Sequence, residues 1–128
     1  MINSSTEGIV KVTGQMGLGE VIKPLSREIH LFDTYIAGTT HLKDASVLDD
    51  IKPGDPLFLR REDNKFDGNA ILVLNDKKQK LGYVPEKDNV VFARLMDAGK
   101  CLSGKIKRID PKGESFKIIM IEIYIIDF

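Results

Sequence analysis

The last thirteen residues constrain this chain most. Phe116, Ile118, Met120, Tyr124, Ile126 and Phe128 alternate with Ile119, Ile121, Ile123 and Ile125, and Glu122 is the acidic interruption. A period of two is the signature of a strand, and two apolar sets predict one covered on both faces, by the interior of a sheet and by the N-terminal segment or a second copy of the chain. At ~3.3 Å per residue such a strand is long for a small sheet and is expected to bend. The apolar run is far shorter than the ~20 residues of a membrane-spanning helix.

A long doubly apolar strand needs neighbours, and the sequence supplies them. Leu31 to Ala37, Pro56 to Arg60, Ala70 to Leu74, Lys80 to Val84 and Lys100 to Ile109 are rich in β-favouring residues and separated by turn signals. Asp67-Gly68 is a pair suited to positive φ, and Asp110-Pro111-Lys112-Gly113 fits a type I turn. Gly104 marks an expected bulge. One helix is expected over Pro85 to Ala98, with proline in the first turn, Gly99 past the end and an apolar stripe of Val91, Leu95 and Ala98. The fold expected is mainly β: a small OB-like, partly open β-barrel of about six strands with one or two helices. With 128 residues and 42% hydrophobic content, one domain can bury its own core. Residues 30–128 make up that domain. Residues 1–29 form a glycine-rich arm, with Val21, Ile22, Leu25 and Ile29 on one face of a short helix.

Catalytic and metal chemistry find little support. The only histidines are His30 and His41, without the spacing that presents two ligands on one face, so no metal or cofactor is expected. The single cysteine, Cys101, reads as a small buried hydrophobe in a strand. No G-x-S-x-G is present, and Gly14-Gln15-Met16-Gly17-Leu18-Gly19 has the wrong glycine spacing for a dinucleotide loop. The N-terminus lacks a basic stretch followed by an apolar run, so the protein is expected to lack a signal peptide and to be cytoplasmic.

The formal net charge is zero, but residues 60 to 108 carry 12 basic and 7 acidic side chains, a local surplus of +5. Such a surplus either keeps exposed strand faces soluble or builds a phosphate-attracting face. Within it, Arg60-Arg61-Glu62-Asp63-Asn64-Lys65-Phe66-Asp67-Gly68-Asn69-Ala70-Ile71 puts arginines, an aromatic and a carboxylate around one inter-strand connection. Arg60 and Arg61 point oppositely on a strand, so at most one reaches a shared groove.

With Gly38-Thr39-Thr40-His41-Leu42 and Lys80-Leu81-Gly82-Tyr83-Val84-Pro85, this block resembles the HIRAN family from about Phe32 to Ile125. The family includes N-terminal domains of SWI/SNF-type DNA translocases and stand-alone bacterial proteins. The resemblance implies an OB-like barrel that binds the free 3′ end of single-stranded DNA in repair or replication, with a helicase or nuclease as partner enzyme. It assigns base stacking to Phe66 and acceptance of a 3′-hydroxyl hydrogen bond to Asp67. His41 would help enclose the end, and Phe116 and Tyr83 would approach the strand. Arg60, Arg61, Asn64 and Thr40 complete the candidate nucleic-acid-binding set. Thr40 stands where the family can carry a cation, Leu42 where it can carry a second aromatic, Lys65 where proline is frequent, and Glu86 near a backbone-contact position. The competing readings are a protein-interaction or dimerisation module acting through the last strand and, behind both, a hydrolase acting on nucleic acid.

Overall fold

A computed structural model describes residues 27–112 and 116–127, without the side chains of 111, 112, 116 and 117. Six strands follow in order: β1 Arg27–Tyr35, β2 Pro56–Arg61, β3 Ile71–Leu74, β4 Lys80–Tyr83, β5 Cys101–Lys112 and β6 Phe116–Asp127. One α-helix, α1, spans Asn89–Asp97, and short 3-10 turns occupy Thr39–His41 and Ala45–Leu48. All pairings are antiparallel, in the order β1-β6-β5-β2-β3-β4. The sheet curls without closing. Its two edges meet just beyond β1, where the Ala37 N–H donates to the Tyr83 carbonyl at 2.8 Å and the Tyr83 N–H to the Ala37 carbonyl at 2.9 Å. This bears out the mainly β, partly open OB-like architecture expected from the sequence. No helix among the described residues is long and apolar enough to cross a membrane.

The last strand lies between β1 and β5, with both backbone edges paired. Ile119, Ile121 and Ile123 are completely buried against Leu57, Val73, Leu81 and Ile106. Each such side chain contributes roughly 1.5–3 kcal/mol of burial. The opposite face is half-buried at Ile118, Met120, Glu122, Tyr124 and Ile126, and the N-terminal segment expected to cover it lies outside the described residues. Glu122 brings a charged row onto that face, opposite Asp33 on β1 and Lys105 on β5. Ile121 and Ile123 therefore belong to the core, and a contact with a second copy through β6 has only the half-buried face available.

Several local expectations change. Ile29 lies in β1, not on a helix, because β1 starts at Arg27 to match the length of β6. Residues 21, 22 and 25 lie outside the described residues. The bend in β5 occurs between Ile106 and Arg108, not at Gly104. Gly104 pairs regularly with both Leu57 and Ile123, and a Cβ there would sit 3.3 Å from the Leu57 Cβ and from the Glu122 carbonyl oxygen. Asp110, Pro111 and Lys112 continue the β5–β6 ladder instead of turning, and Gly113 lies outside the described residues. Cys101 is exposed because it opens β5 at the rim of the sheet.

The helix begins at Asn89, four residues later than Pro85 suggests. Asp88 N–H instead closes a turn onto the Pro85 carbonyl at 2.9 Å, and the Asp88 carboxylate accepts from Thr34 Oγ1 at 2.8 Å rather than capping the helix. That tertiary bond ties β1 to the helix start and shifts the buried stripe. Asn89, Phe92 and Ala93 face the core with Met96 half-buried, whereas Val91 is 63% exposed.

Candidate functional site

The connection between β2 and β3 is built from two side-chain-capped turns. Asn64 Oδ1 accepts the Phe66 N–H at 2.8 Å, and Asp67 Oδ1 accepts the Asn69 N–H at 2.9 Å. Such local caps satisfy backbone donors that lack a strand partner. They also replace the positive φ expected at Gly68, which is not among the left-handed glycines. The Glu62 N–H closes the base of the loop on the Ala70 carbonyl at 3.1 Å. Phe66 occupies the tip and is 85% exposed, with the Lys65 ammonium 5.3 Å from its ring centre.

Side-chain hydrogen bonds, several of them part-buried, hold this exposed tip in place. Arg61 donates to the Ala70 carbonyl at 2.7 Å, to the Gly68 carbonyl at 2.8 Å and to the Asp97 carboxylate at 2.9 and 3.2 Å. The Arg61 guanidinium in turn holds the Asp97 carboxyl below its ordinary value. Arg61 thus clamps the loop to α1, while Arg60 projects from the outer face of β2, exposed and without an ion pair among the described residues. We expect Arg61→Ala to remove the side-chain donors to the Ala70 and Gly68 carbonyls and the tie to Asp97, and to cost about 1 kcal/mol, read as a lower denaturant midpoint. An unchanged midpoint would rule the clamp out.

Glu62 forms a second support. Its Oε1 accepts from the Tyr83 hydroxyl at 2.7 Å and from Asn64 Nδ2 at 3.1 Å, and Lys80 Nζ donates to the Tyr83 hydroxyl at 3.2 Å. Asn89 forms the third, donating through Nδ2 to Asp67 Oδ2 at 2.9 Å while only 1% exposed. Sequence reasoning missed both roles. The available signal for Asn89 was a polar residue in phase with Phe92, Ala93 and Met96 on the buried helix face.

A cleft of about 310 Å³ opens beside the tip. Ala37, Gly38, Ala70 and Val84 make its apolar surface, Phe66 and Tyr83 its aromatic walls, and Asn64, Asp67 and Glu86 its polar ones. Each Asp67 oxygen already accepts one hydrogen bond, and a carboxylate has about four acceptor sites, so capacity remains for a further donor. An adjoining cavity of about 280 Å³ shares Ala37 and Gly38 and includes Tyr35, Thr40 and Ile118. His41 lines neither; it ends the 3-10 turn that begins after Gly38, with its side chain exposed. The structure therefore gathers Asn64, Phe66, Asp67 and Tyr83, places Thr40 next door and Arg61 beneath, and sets Arg60 and His41 apart. Phe116 opens β6 opposite Lys112, and its side chain lies outside the described residues.

Among the described residues, metal-ligating atoms converge at His30, Asp33 and Glu122, within 4.8 Å of one another, rather than around His41. Lys107 Nζ already lies 2.6 Å from Asp33 Oδ2, and His30 Nε2 lies 2.5 Å from Oδ1. These two contacts, the lysine's foremost, lower the Asp33 pKa. A resident ammonium thus supplies the charge that a metal would bring.

Comparison with known proteins places this architecture. The family model described as HIRAN domain matches residues 29–125. A crystal structure of a protein from Lactobacillus plantarum superposes with a TM-score of 0.73 at 26% identity, covering 80% of this chain and 99% of that one. The crystal structure of the HIRAN domain of human HLTF superposes with a TM-score of 0.62 at 16% identity, covering 79% of this chain and 78% of that one. No curated protein sequence matches the chain.

Proposed function

The chain belongs to the HIRAN family, and from that premise we propose that it is a non-catalytic DNA-binding module that takes the free 3′-hydroxyl end of single-stranded DNA into the Phe66 cleft. One observation carries this reading: an almost fully exposed aromatic ring, on a loop braced by Arg61, Glu62 and Asn89, stands beside a carboxylate with acceptor sites to spare. A base stacks on the ring without any demand on its identity. The terminal hydroxyl donates to Asp67, whereas a phosphodiester offers that carboxylate only like charge. Asp67 and Glu86 thus select an end by repelling what an internal position would present. A helicase or nuclease working at strand ends in repair or replication is the partner such a module serves, and the chemistry asks no metal or nucleophile of this chain.

The test is a titration of matched oligonucleotides ending in 3′-hydroxyl or 3′-phosphate, followed by fluorescence anisotropy. The hydroxyl strand should bind on the order of tenfold more tightly or better, the value of one hydrogen bond to a charged acceptor. Equal affinities would remove the role given to Asp67. The alternative, a protein-interaction or dimerisation module, draws on the half-buried outer face of β6 and predicts no DNA affinity with either end.

A further inference from the structure

A strand whose end sits in the Phe66 cleft has to leave it, and the outer face of β2, β3 and β4 offers a way out. Tyr83 lines the cleft and lies in one cross-strand row with Leu72 and Arg60. The next row is Lys80, Leu74 and Phe58. Partners in a row share one face of the sheet, so Tyr83, Arg60, Lys80 and Phe58 stand together across two strand spacings, ~10 Å. No acidic side chain stands in either row. Phe58 is 45% exposed, a large aromatic on the solvent side of a strand.

A second observation points to the same ring. Lys78 is the one non-glycine residue with positive φ among the described residues, at 64°. Asn75 holds that turn: its side-chain oxygen accepts the N–H groups of Lys77 and Gln79 at 2.9 Å, and its carbonyl accepts the Lys78 N–H at 2.9 Å. The turn brings Lys78 Nζ to 4.8 Å from the Phe58 ring centre, as Lys80 Nζ lies 4.6 Å from that of Tyr83. Two rings with a cation on each, and Arg60 in the Tyr83 row, set stacking surface beside phosphate partners, the pattern that tracks a single strand. The adjoining cavity at Tyr35 and Thr40 has no charged side chain in its lining.

We propose that the face formed by Tyr83, Lys80, Arg60, Lys78 and Phe58 is a second nucleic-acid site, which binds the nucleotides upstream of the 3′ end; it rests on the end-binding reading above. The experiment compares a thymidine dinucleotide with an octanucleotide, both with free 3′-hydroxyls, by anisotropy and by competition. The octanucleotide should bind about tenfold more tightly, the value of one further stacked base. Phe58→Ala should abolish that gain and leave dinucleotide affinity as it was. Arg60→Ala should lessen the octanucleotide's salt slope by about 0.7. Both side chains are exposed, so an unchanged circular dichroism melt is expected. Equal affinity for the two lengths, or a length gain lost on Tyr35→Ala instead of Phe58→Ala, overturns the track while the end site stands. Binding of neither oligonucleotide removes the end site and the track with it.

Discussion

Phe66→Ala is expected to weaken binding of single-stranded DNA about tenfold to a hundredfold, since one stacked base contributes ~1–3 kcal/mol. Stability should stay within about 0.5 kcal/mol, as for other exposed positions. The two halves of this expectation belong together. At 85% exposure the ring adds almost nothing to the core, so its removal leaves no cavity. The Asn64 turn takes only the backbone N–H of Phe66 and the Asp67 turn that of Asn69, so both persist without the ring. Phe66→Tyr or Phe66→Trp keeps a flat surface and should restore most of the affinity. A fall in melting temperature that tracks the loss of binding would instead identify the ring as packing, and unchanged affinity would dismiss the stacking role.

Much of this was legible beforehand because it depends on local chemistry. The alternation in β6 and Gly99 past α1 are properties of a few neighbouring residues, and each led to the right kind of element, whereas the turn signal at Asp110-Pro111 is overridden by pairing with β6. The tip was also legible, because Asn64 and Asp67 cap their own turns. What escaped depends on contacts remote in sequence. Thr34 claims the Asp88 carboxylate, delays the helix and rotates its buried face from Val91 to Phe92. Arg61 reads as a phosphate partner until Gly68, Ala70 and Asp97 are seen to occupy its guanidinium. The role of Glu62 is not legible locally, because the Tyr83 hydroxyl that donates to it lies 21 residues on. Arg61 and Glu62 are thus recruited to brace the loop, and Phe66 stays exposed because they and Asn64 hold the loop.

The same dependence makes Gly82→Ala the most damaging added methyl among the described glycines. Gly82 sits in β4 opposite Val73, with the chain end of β1 crossing directly above it. A Cβ there would lie 2.3 Å from the Ala37 carbonyl oxygen and 2.6 Å from Ile36 Cγ2. The first of these is a backbone atom that accepts the Tyr83 N–H, so it cannot move without breaking the bridge that joins the two edges of the sheet. The other neighbour, Ile36, is 4% exposed and packed in the core. We expect a loss of about 3 kcal/mol, or on the order of 10–20 °C in Tm for a domain of this size. Gly68→Ala is the matched control: its Cβ meets nothing within 4 Å, so Tm should hold or rise slightly. Because Ala37, Gly38 and Tyr83 all line the Phe66 cleft, whatever Gly82→Ala protein remains folded should also bind DNA more weakly, whereas Gly68→Ala should bind normally. A Gly82→Ala protein with the parental Tm would mean that β4 and the end of β1 do not meet, and the cleft would lose the surface on which its function has been argued.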